Sequence, residues 1–195
     1  MTTPQPAPDR PLRADARRNR ERILDVADAV FGEAGQAAST EEIARRAGVG
    51  IGTVFRHFPT KEALLEAVFV RRLTGLRDRA AQQLDARDPG QAFSDFFTLV
   101  VRDAPAKLAI AGALADSGAN LRTAVHDAHQ ELRAAFGRLL ERAQAAGAVR
   151  RDVELAEVYA LLIGTSRAAA AADVDDRVLT GTLRIVFDGL RATRS

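Results

Sequence analysis

The sequence predicts an all-α fold of about nine helices. Apolar residues recur at the three- and four-residue spacing of one helical face through most of the chain. Short breaks rich in Gly, Pro or Asp, such as Asp88-Pro89-Gly90, separate these segments. No stretch shows the strict alternation of a half-buried strand. These observations favour a set of packed helices and give no support for a sheet.

The composition limits the classes of protein to which the chain can belong. It has 195 residues, of which 28% are charged, and it contains no cysteine, so disulfide and thiolate chemistry are excluded. The N-terminus lacks the apolar run of a secretion signal, and no stretch reaches the length of a membrane-spanning helix. We therefore expect a cytoplasmic protein of one or two domains.

The first 34 residues predict an arm followed by a helix. Residues 1–16 combine prolines and arginines with few large apolar side chains, which is typical of a disordered arm. From about Arg17 to Ala34 the apolar residues line one face, and the following Gly35 favours an end to the helix.

Two short helices joined by a tight turn are predicted between Ser39 and Phe58. Ser39 can cap the first helix, and Glu42 can reach back in an S-x-x-E capping box. Gly48 suits the left-handed conformation that follows a last helical residue. The second helix runs from about Ile51. A helix-turn-helix of this kind can place its second helix in the major groove of DNA.

The remaining chain predicts further helices. A fourth helix is expected from about Lys61 to Ala86. After the break at residues 88–90, apolar helical faces recur near residues 93–101, 105–115, 120–146 and 152–172, and from 174 onwards. Asp152 is the predicted cap of the helix at 152–172.

Three pieces of the N-terminal part resemble the DNA-binding domain of TetR-type transcriptional repressors. They are RERILDVADAVFGEAG, STEEIARRAGVGIGTVFRHF and PTKEALLEAV, whose order, spacing and residue types match over roughly residues 18–70. The segment that begins at Gly48 is similar to actinomycete members of the family. The resemblance implies a helix-turn-helix domain at 17–75, with its motif at 39–58, and an effector-binding and dimerisation domain at 76–195.

The resemblance also implies a function. We expect a regulator that binds a palindromic operator as a homodimer, represses transcription and is released by a small-molecule effector, with no cofactor and no membrane partner. An enzyme is not expected, because the sequence lacks a Gly-rich phosphate loop, a G-x-S-x-G and an H-E-x-x-H. The alternative is an all-α ligand-binding or scaffold dimer that does not bind DNA.

The predicted DNA-binding residues lie in the second motif helix and at its two ends, at the start of the first motif helix, and at the start of the first helix of the chain. Phe55 stands where the family pattern has a phosphate-binding Tyr. The glycines could instead relieve a tight turn, and the arginines could only solubilise a helix start. The candidates are Arg17, Arg18, Ser39, Thr40, Gly50, Ile51, Gly52, Thr53, Phe55, Arg56, His57 and Lys61.

An effector site among the middle helices is implied by the resemblance, although the helical apolar spacing favours an ordinary core over a ligand wall for each candidate residue. His126 and His129 are one turn apart, and an exposed pair on a polar face is favoured over a metal site. The ligand-binding candidates are Phe93, Phe97, Leu108, Leu114, Phe136, Leu140, Tyr159 and Ile163.

The last two helices carry more small and apolar residues than one covered face requires. The resemblance implies that they form a four-helix bundle with a second copy, and the alternative is an Ala-rich core helix of a monomer. The interface candidates are Leu161, Gly164, Ala168, Leu183, Val186, Phe187 and Leu190.

Overall fold

A computed structural model of the protein describes residues 10–116, 123–171 and 174–192. Within these ranges the chain forms nine α-helices, one short 3-10 helix (Gly35–Ala37) and no strand, which confirms the all-α prediction. The helices are α1 (Arg10–Ala34), α2 (Thr40–Ala47), α3 (Ile51–His57), α4 (Lys61–Gln83), α5 (Pro89–Arg102), α6 (Ala104–Asp116), α7 (Thr123–Ala145), α8 (Leu155–Ala169) and α9 (Asp176–Leu190).

Helix α1 begins earlier than the sequence analysis placed it. It starts at Arg10 rather than near Arg17, so residues 10–16 of the expected arm are helical. Pro11 lies in the first turn, where its missing N–H costs no intrahelical hydrogen bond, and the residues that follow it include good helix formers. Residues 1–9 lie outside the described ranges.

The caps of the motif helices follow the sequence signals closely. The Ser39 hydroxyl accepts a hydrogen bond from the Glu42 N–H at 3.1 Å, and Gly48 ends α2 with a φ of 64° in the left-handed region. The Glu42 carboxylate does not complete the predicted capping box, because it pairs with Arg45 and Arg46. The predicted cap at Asp152 is wrong, since α8 is capped two residues later by Glu154.

The buried apolar residues form two clusters that share α4. The first cluster joins α1, α2, α3 and the first half of α4 with residues of α6. The second cluster joins the later part of α4 with α5, α7, α8 and α9. Phe69 and Val70, in the middle of α4, pack against both clusters. Helix α4 therefore connects the helix-turn-helix unit, defined here as α1–α3 with the first half of α4, to the rest of the protein.

A partly buried ion cluster reinforces this connection. The guanidinium of Arg72 on α4 donates to the Asp28 carboxylate on α1 at 3.0 and 2.9 Å, and to the Asp103 carboxylate between α5 and α6 at 2.7 Å. Burial raises the pKa of Asp103, while the charge of Arg72 opposes that rise. One side chain thus connects both clusters. No helix in the described ranges has the length and apolarity needed to span a membrane.

Candidate nucleic-acid interface and buried cavity

Helix α3 is anchored on one side and bare on the other. Val54 is buried, and Phe58, just after the helix, is buried beside it. On the opposite side Gly50, Gly52 and Arg56 are exposed, as are the large side chains of Ile51 (38% exposed) and Phe55 (42% exposed). We call these five residues the α3 surface.

Neither the backbone conformation nor the packing of the described chain requires glycine at the two glycine positions of the α3 surface. Gly50 has a φ of −68°, which any residue can adopt, and Gly52 lies inside the helix. A Cβ atom added at either position would meet no atom within 4 Å. A glycine inside a helix costs about 1 kcal/mol relative to alanine. The turn itself uses Gly48, so the tight-turn alternative does not account for Gly50 or Gly52.

The other predicted DNA contacts lie around this surface with different degrees of exposure. Thr53 and His57 are half-buried, as is Lys61 at the start of α4. Thr40 is buried, and its hydroxyl lies 3.3 Å from the Glu41 carboxylate. The Ser39 hydroxyl is used as the helix cap. Arg17 and Arg18 are exposed on α1, and Arg18 pairs with Asp15.

Two features of this region were missed in the sequence. The carboxylate of Glu42 accepts hydrogen bonds from both arginines of α2, Arg45 and Arg46, and these bonds lower the pKa of Glu42 to about 2. In addition, the guanidinium of Arg20 lies 5.2 Å from the centre of the Phe58 ring, so α1 is held against the end of α3. Neither the S-x-x-E pattern nor the positions of the arginines in the sequence indicate either of these two contacts.

A cavity of about 180 Å³ lies among α4, α5, α6, α7 and α8. Four of the eight predicted ligand-binding residues line it, namely Leu108, Phe136, Tyr159 and Ile163. The other apolar lining residues come from all five helices and are Phe69, Leu73, Phe96, Val100, Ala111, Leu132 and Leu162.

The other four predicted ligand-binding residues do not line this cavity. Phe93 and Phe97 are fully packed, with ring centres 5.6 and 6.3 Å from that of Phe136. Leu140 is buried in the same cluster, and Leu114 belongs to the first cluster beneath α1. All four satisfy the helical spacing of a core, which does not distinguish a filled core from the wall of a cavity.

The polar part of the cavity wall was largely missed. Lys107, Ser166 and Arg167 line it, together with His129 and Tyr159. The Tyr159 hydroxyl lies 2.7 Å from Nε2 of His129. The expected exposed histidine pair is therefore wrong for His129, which is half-buried, while His126 is exposed. Burial lowers the pKa of both His129 and Lys107 and raises the pKa of Tyr159.

Helices α8 and α9 present an apolar groove on the other side of α8. Leu161, Gly164 and Ala168 line it from α8, and Val186 and Leu190 line it from α9. Of the seven predicted interface residues, Leu183 and Phe187 instead face the chain's own core. Leu183 is buried, and the Phe187 ring meets that of Phe97 with centres 5.5 Å apart.

The most exposed large apolar side chain recorded in the described ranges is Ile185, which lines the same groove and is 69% exposed. Helical periodicity in the sequence does not single out Ile185, because it lies beside the apolar stripe that includes Leu183 and Val186. No group of three or more His, Cys, Asp or Glu side chains in the described ranges could hold a metal ion.

The helix-turn-helix, with its bare α3 surface, defines a helical DNA-binding protein. Residues 23–68 match the family described as bacterial regulatory proteins, tetR family, and residues 88–192 match the family described as transcriptional regulator SbtR-like, C-terminal domain. The second match covers more than half of the chain. The chain belongs to the TetR family of transcriptional regulators, whose N-terminal domain binds DNA and whose members are not enzymes.

Solved structures show the same relationship over nearly the whole chain. A TetR transcription regulatory protein from Mycobacterium vanbaalenii is 42% identical, with 93% of this chain and 99% of that chain covered and a TM-score of 0.77. A TetR transcriptional regulator from Streptomyces coelicolor is 35% identical, with 90% and 99% covered and a TM-score of 0.76. These relatives confirm the likeness to actinomycete members of the family.

The curated relatives from Staphylococcus aureus match about a third of the chain. HTH-type transcriptional regulators from Staphylococcus aureus are 41% identical over 63 residues, which is 32% of this chain. The chain matches only 34% of the length of those proteins. Together with family membership, this match favours the regulator over the scaffold that does not bind DNA.

Proposed function

We propose that this protein is a ligand-responsive repressor that binds a palindromic operator as a homodimer. The observation that carries the proposal is the α3 surface, where a Cβ added at Gly50 or Gly52 would meet no atom of the described chain within 4 Å, so that a ligand can approach the backbone closely. Helix N-termini with bare N–H groups attract phosphate, and the neighbouring Ile51 can pack on a thymine methyl. Thr53 is the residue that can address a base edge with a hydroxyl.

Positive charge near this surface is arranged for phosphate contact. Arg56 is exposed on α3, and His57 and Lys61 follow at its exit. The arginines of α2 are less suited to this role, because Glu42 already binds Arg45 and Arg46. The hydroxyl of the family's usual tyrosine is replaced by the exposed ring of Phe55, so Arg56 takes a larger share of the backbone contact.

The proposed dimer uses the groove between α8 and α9. Exposed apolar side chains are grouped there, with Leu161 on α8 and Ile185 on α9 both available to a partner. Gly164 and Ala168 allow a second helix to approach closely. Two copies related by a two-fold axis would present two α3 helices to the two halves of a palindrome.

Release of the operator is proposed to begin in the cavity. Phe69 and Leu73 line the cavity from α4, the helix whose first half belongs to the helix-turn-helix unit. A bound effector would contact α4 directly and change its position relative to α1. By thermodynamic linkage, the effector must weaken operator binding by the same factor as the operator weakens effector binding. Because the proposed target is an operator, the proposal includes a cytoplasmic location.

The dimeric operator complex can be tested with a duplex selected from a random DNA pool at fixed salt. We expect an inverted repeat that binds two chains. Ile185→Arg should give monomers in sedimentation, because it puts a charge into the apolar groove. It should weaken operator binding by about 100-fold or more, since the avidity of two linked half-site contacts is lost.

Arg184→Glu is the matched control, because it changes a charge at the adjacent position of α9 outside the groove. It should remain dimeric and bind the duplex nearly as well as the parent. A dimeric Ile185→Arg protein with the parent's operator affinity would contradict the proposed assembly.

A further inference from the structure

The cavity wall has an uneven distribution of charge. Two cationic residues, Lys107 and Arg167, contribute to it together with His129, whose pKa burial lowers, and no acidic residue of the described chain does. Arg133 adds positive charge nearby, with its guanidinium carbon 5.4 Å from the centre of the Tyr159 ring. A ligand in this cavity therefore meets a positive potential that its apolar walls do little to screen.

Lys107 is the basic group that most needs a counter-charge. It is half-buried on α6, and its ammonium makes no hydrogen bond or ion pair within the described chain. Asp103 is the carboxylate that acts on its charge; Oδ1 of Asp103 accepts a hydrogen bond from Arg72, and Oδ2 is buried without a hydrogen-bond partner among the described residues, so the Asp103 charge is shared between the two cations. Burial lowers the pKa of Lys107, and a ligand anion beside it would favour the charged ammonium.

A second, independent feature is an unused hydroxyl. Ser166 lies on α8, is only 5% exposed and lines the same cavity. Its Oγ is buried without a hydrogen-bond partner among the residues that the structure describes. Buried polar groups are almost always paired, and leaving one unpaired destabilises the structure. A ligand oxygen accepting the Ser166 hydroxyl proton would remove that destabilisation.

The size and walls of the cavity define the rest of the ligand. A volume of about 180 Å³ is slightly larger than that of an engineered apolar cavity that binds benzene, about 150 Å³. The aromatic side chains of Phe69, Phe96 and Phe136 line it. The space therefore suits one six-membered ring, or an aliphatic body of the same size, with a single small polar head.

We infer that the effector is a small monocarboxylate with a compact apolar body, whose head contacts Lys107 and Ser166 and whose body lies against the phenylalanines of α4, α5 and α7. This inference rests on the proposed function, in which the cavity is the effector site. Ile163 and Arg167, which line the cavity and are exposed, mark its entrance on α8. The exposed guanidinium of Arg167 would attract the carboxylate there.

Tyr159 supplies a local reporter for the test. It is the only tyrosine of the chain, which has no tryptophan, and its ring lines the cavity. Its fluorescence in the full-length protein therefore reports on the cavity. The probes are cyclohexanecarboxylate and its neutral counterpart cyclohexanecarboxamide, which have nearly the same shape, do not interfere with tyrosine emission, and differ in charge.

We expect cyclohexanecarboxylate to change Tyr159 emission saturably and to bind about tenfold or more tightly than the carboxamide, as a charge-assisted hydrogen bond allows. Lys107→Met should bind the two probes alike, whereas Lys107→Arg should keep the preference. Ser166→Ala should weaken carboxylate binding by about threefold or more. Equal affinity of the parent for the two probes would overturn the inference, and this comparison needs no variant.

Operator titrations separate this inference from the proposed function. If cyclohexanecarboxylate binds preferentially but leaves operator affinity unchanged, the ligand class stands and the release mechanism fails. If the carboxamide binds more tightly and releases the operator, the release mechanism stands and the ligand class is overturned.

Discussion

The helix-turn-helix unit and the cavity region use their apolar residues in opposite ways. In the first, the core is closed, and the functional residues lie outside it on the α3 surface, opposite the buried Val54. In the second, the functional space is a gap in the core itself, bordered by Phe96 and Phe136. Substitutions on the α3 surface should therefore change binding alone, whereas substitutions around the cavity should change binding and stability together.

The aromatic cluster beside the cavity provides the largest contrast. Phe97 is fully buried and contacts the rings of Phe93, Phe136 and Phe187. Phe97→Ala should reduce the free energy of unfolding by about 3–5 kcal/mol, because it removes buried surface and leaves a void. Urea denaturation monitored by circular dichroism measures this loss.

Phe55→Ala is the matched control, because it removes the same side chain from the α3 surface, where the ring is 42% exposed. Its stability should stay within about 0.5 kcal/mol of the parent. A similar loss in both variants would show that the α3 surface is not separate from the core, and the contrast between the two regions would fail.

The junction between the regions should give an intermediate effect. Arg72 is 14% exposed and connects Asp28 with Asp103, so Arg72→Met leaves two carboxylates without their cation. We expect a loss of roughly 1–3 kcal/mol in stability. Within the described residues, the neighbouring Arg71 pairs only with exposed carboxylates of α1, so Arg71→Met should cost about 0–1 kcal/mol.

The loss of stability caused by Arg72→Met, called the deficit below, should depend on pH. Burial raises the pKa of Asp103, and losing the cation of Arg72 would raise it further. Protonation removes the unpaired charge, so the deficit should shrink as the pH falls through the raised pKa of Asp103. Thermal unfolding of the parent and of both variants across acidic and neutral pH measures this trend. A deficit that grows as the pH falls would show that the ion cluster does not act in this way.

The sequence predicted the helix-turn-helix unit more completely than the cavity because its signals are local. The cap at Ser39 and the left-handed turn at Gly48 depend on residues within one or two turns, so spacing alone defines them. The cavity wall combines Lys107 of α6 with Ser166 of α8, which lie far apart in the sequence. Their meeting depends on how the helices pack, for which this single sequence carries no pattern.

The same limit explains which apolar residues were misplaced. Helical periodicity placed Phe93 and Phe97 on an apolar face as ligand-binding candidates and Leu183 in the dimer interface, and the structure buries all three within the chain's own core. Periodicity does not show whether an inward residue fills the core, lines a cavity or meets a second chain. The exposed Ile185 was missed for the converse reason, since it lies off the inward stripe.

The central claim is that the α3 surface and its flanks read DNA without contributing to the core. It is tested most directly by titrating the parent, Thr53→Ala and Arg56→Ala against the selected operator, its single-base variants and random DNA at several salt concentrations. Arg56→Ala should weaken binding to all sequences and reduce the salt slope of log K by about one unit. Thr53→Ala should keep the parent's slope and relax discrimination at one half-site position by roughly 1–3 kcal/mol. Parental salt slope and base preference in both variants would contradict the claim.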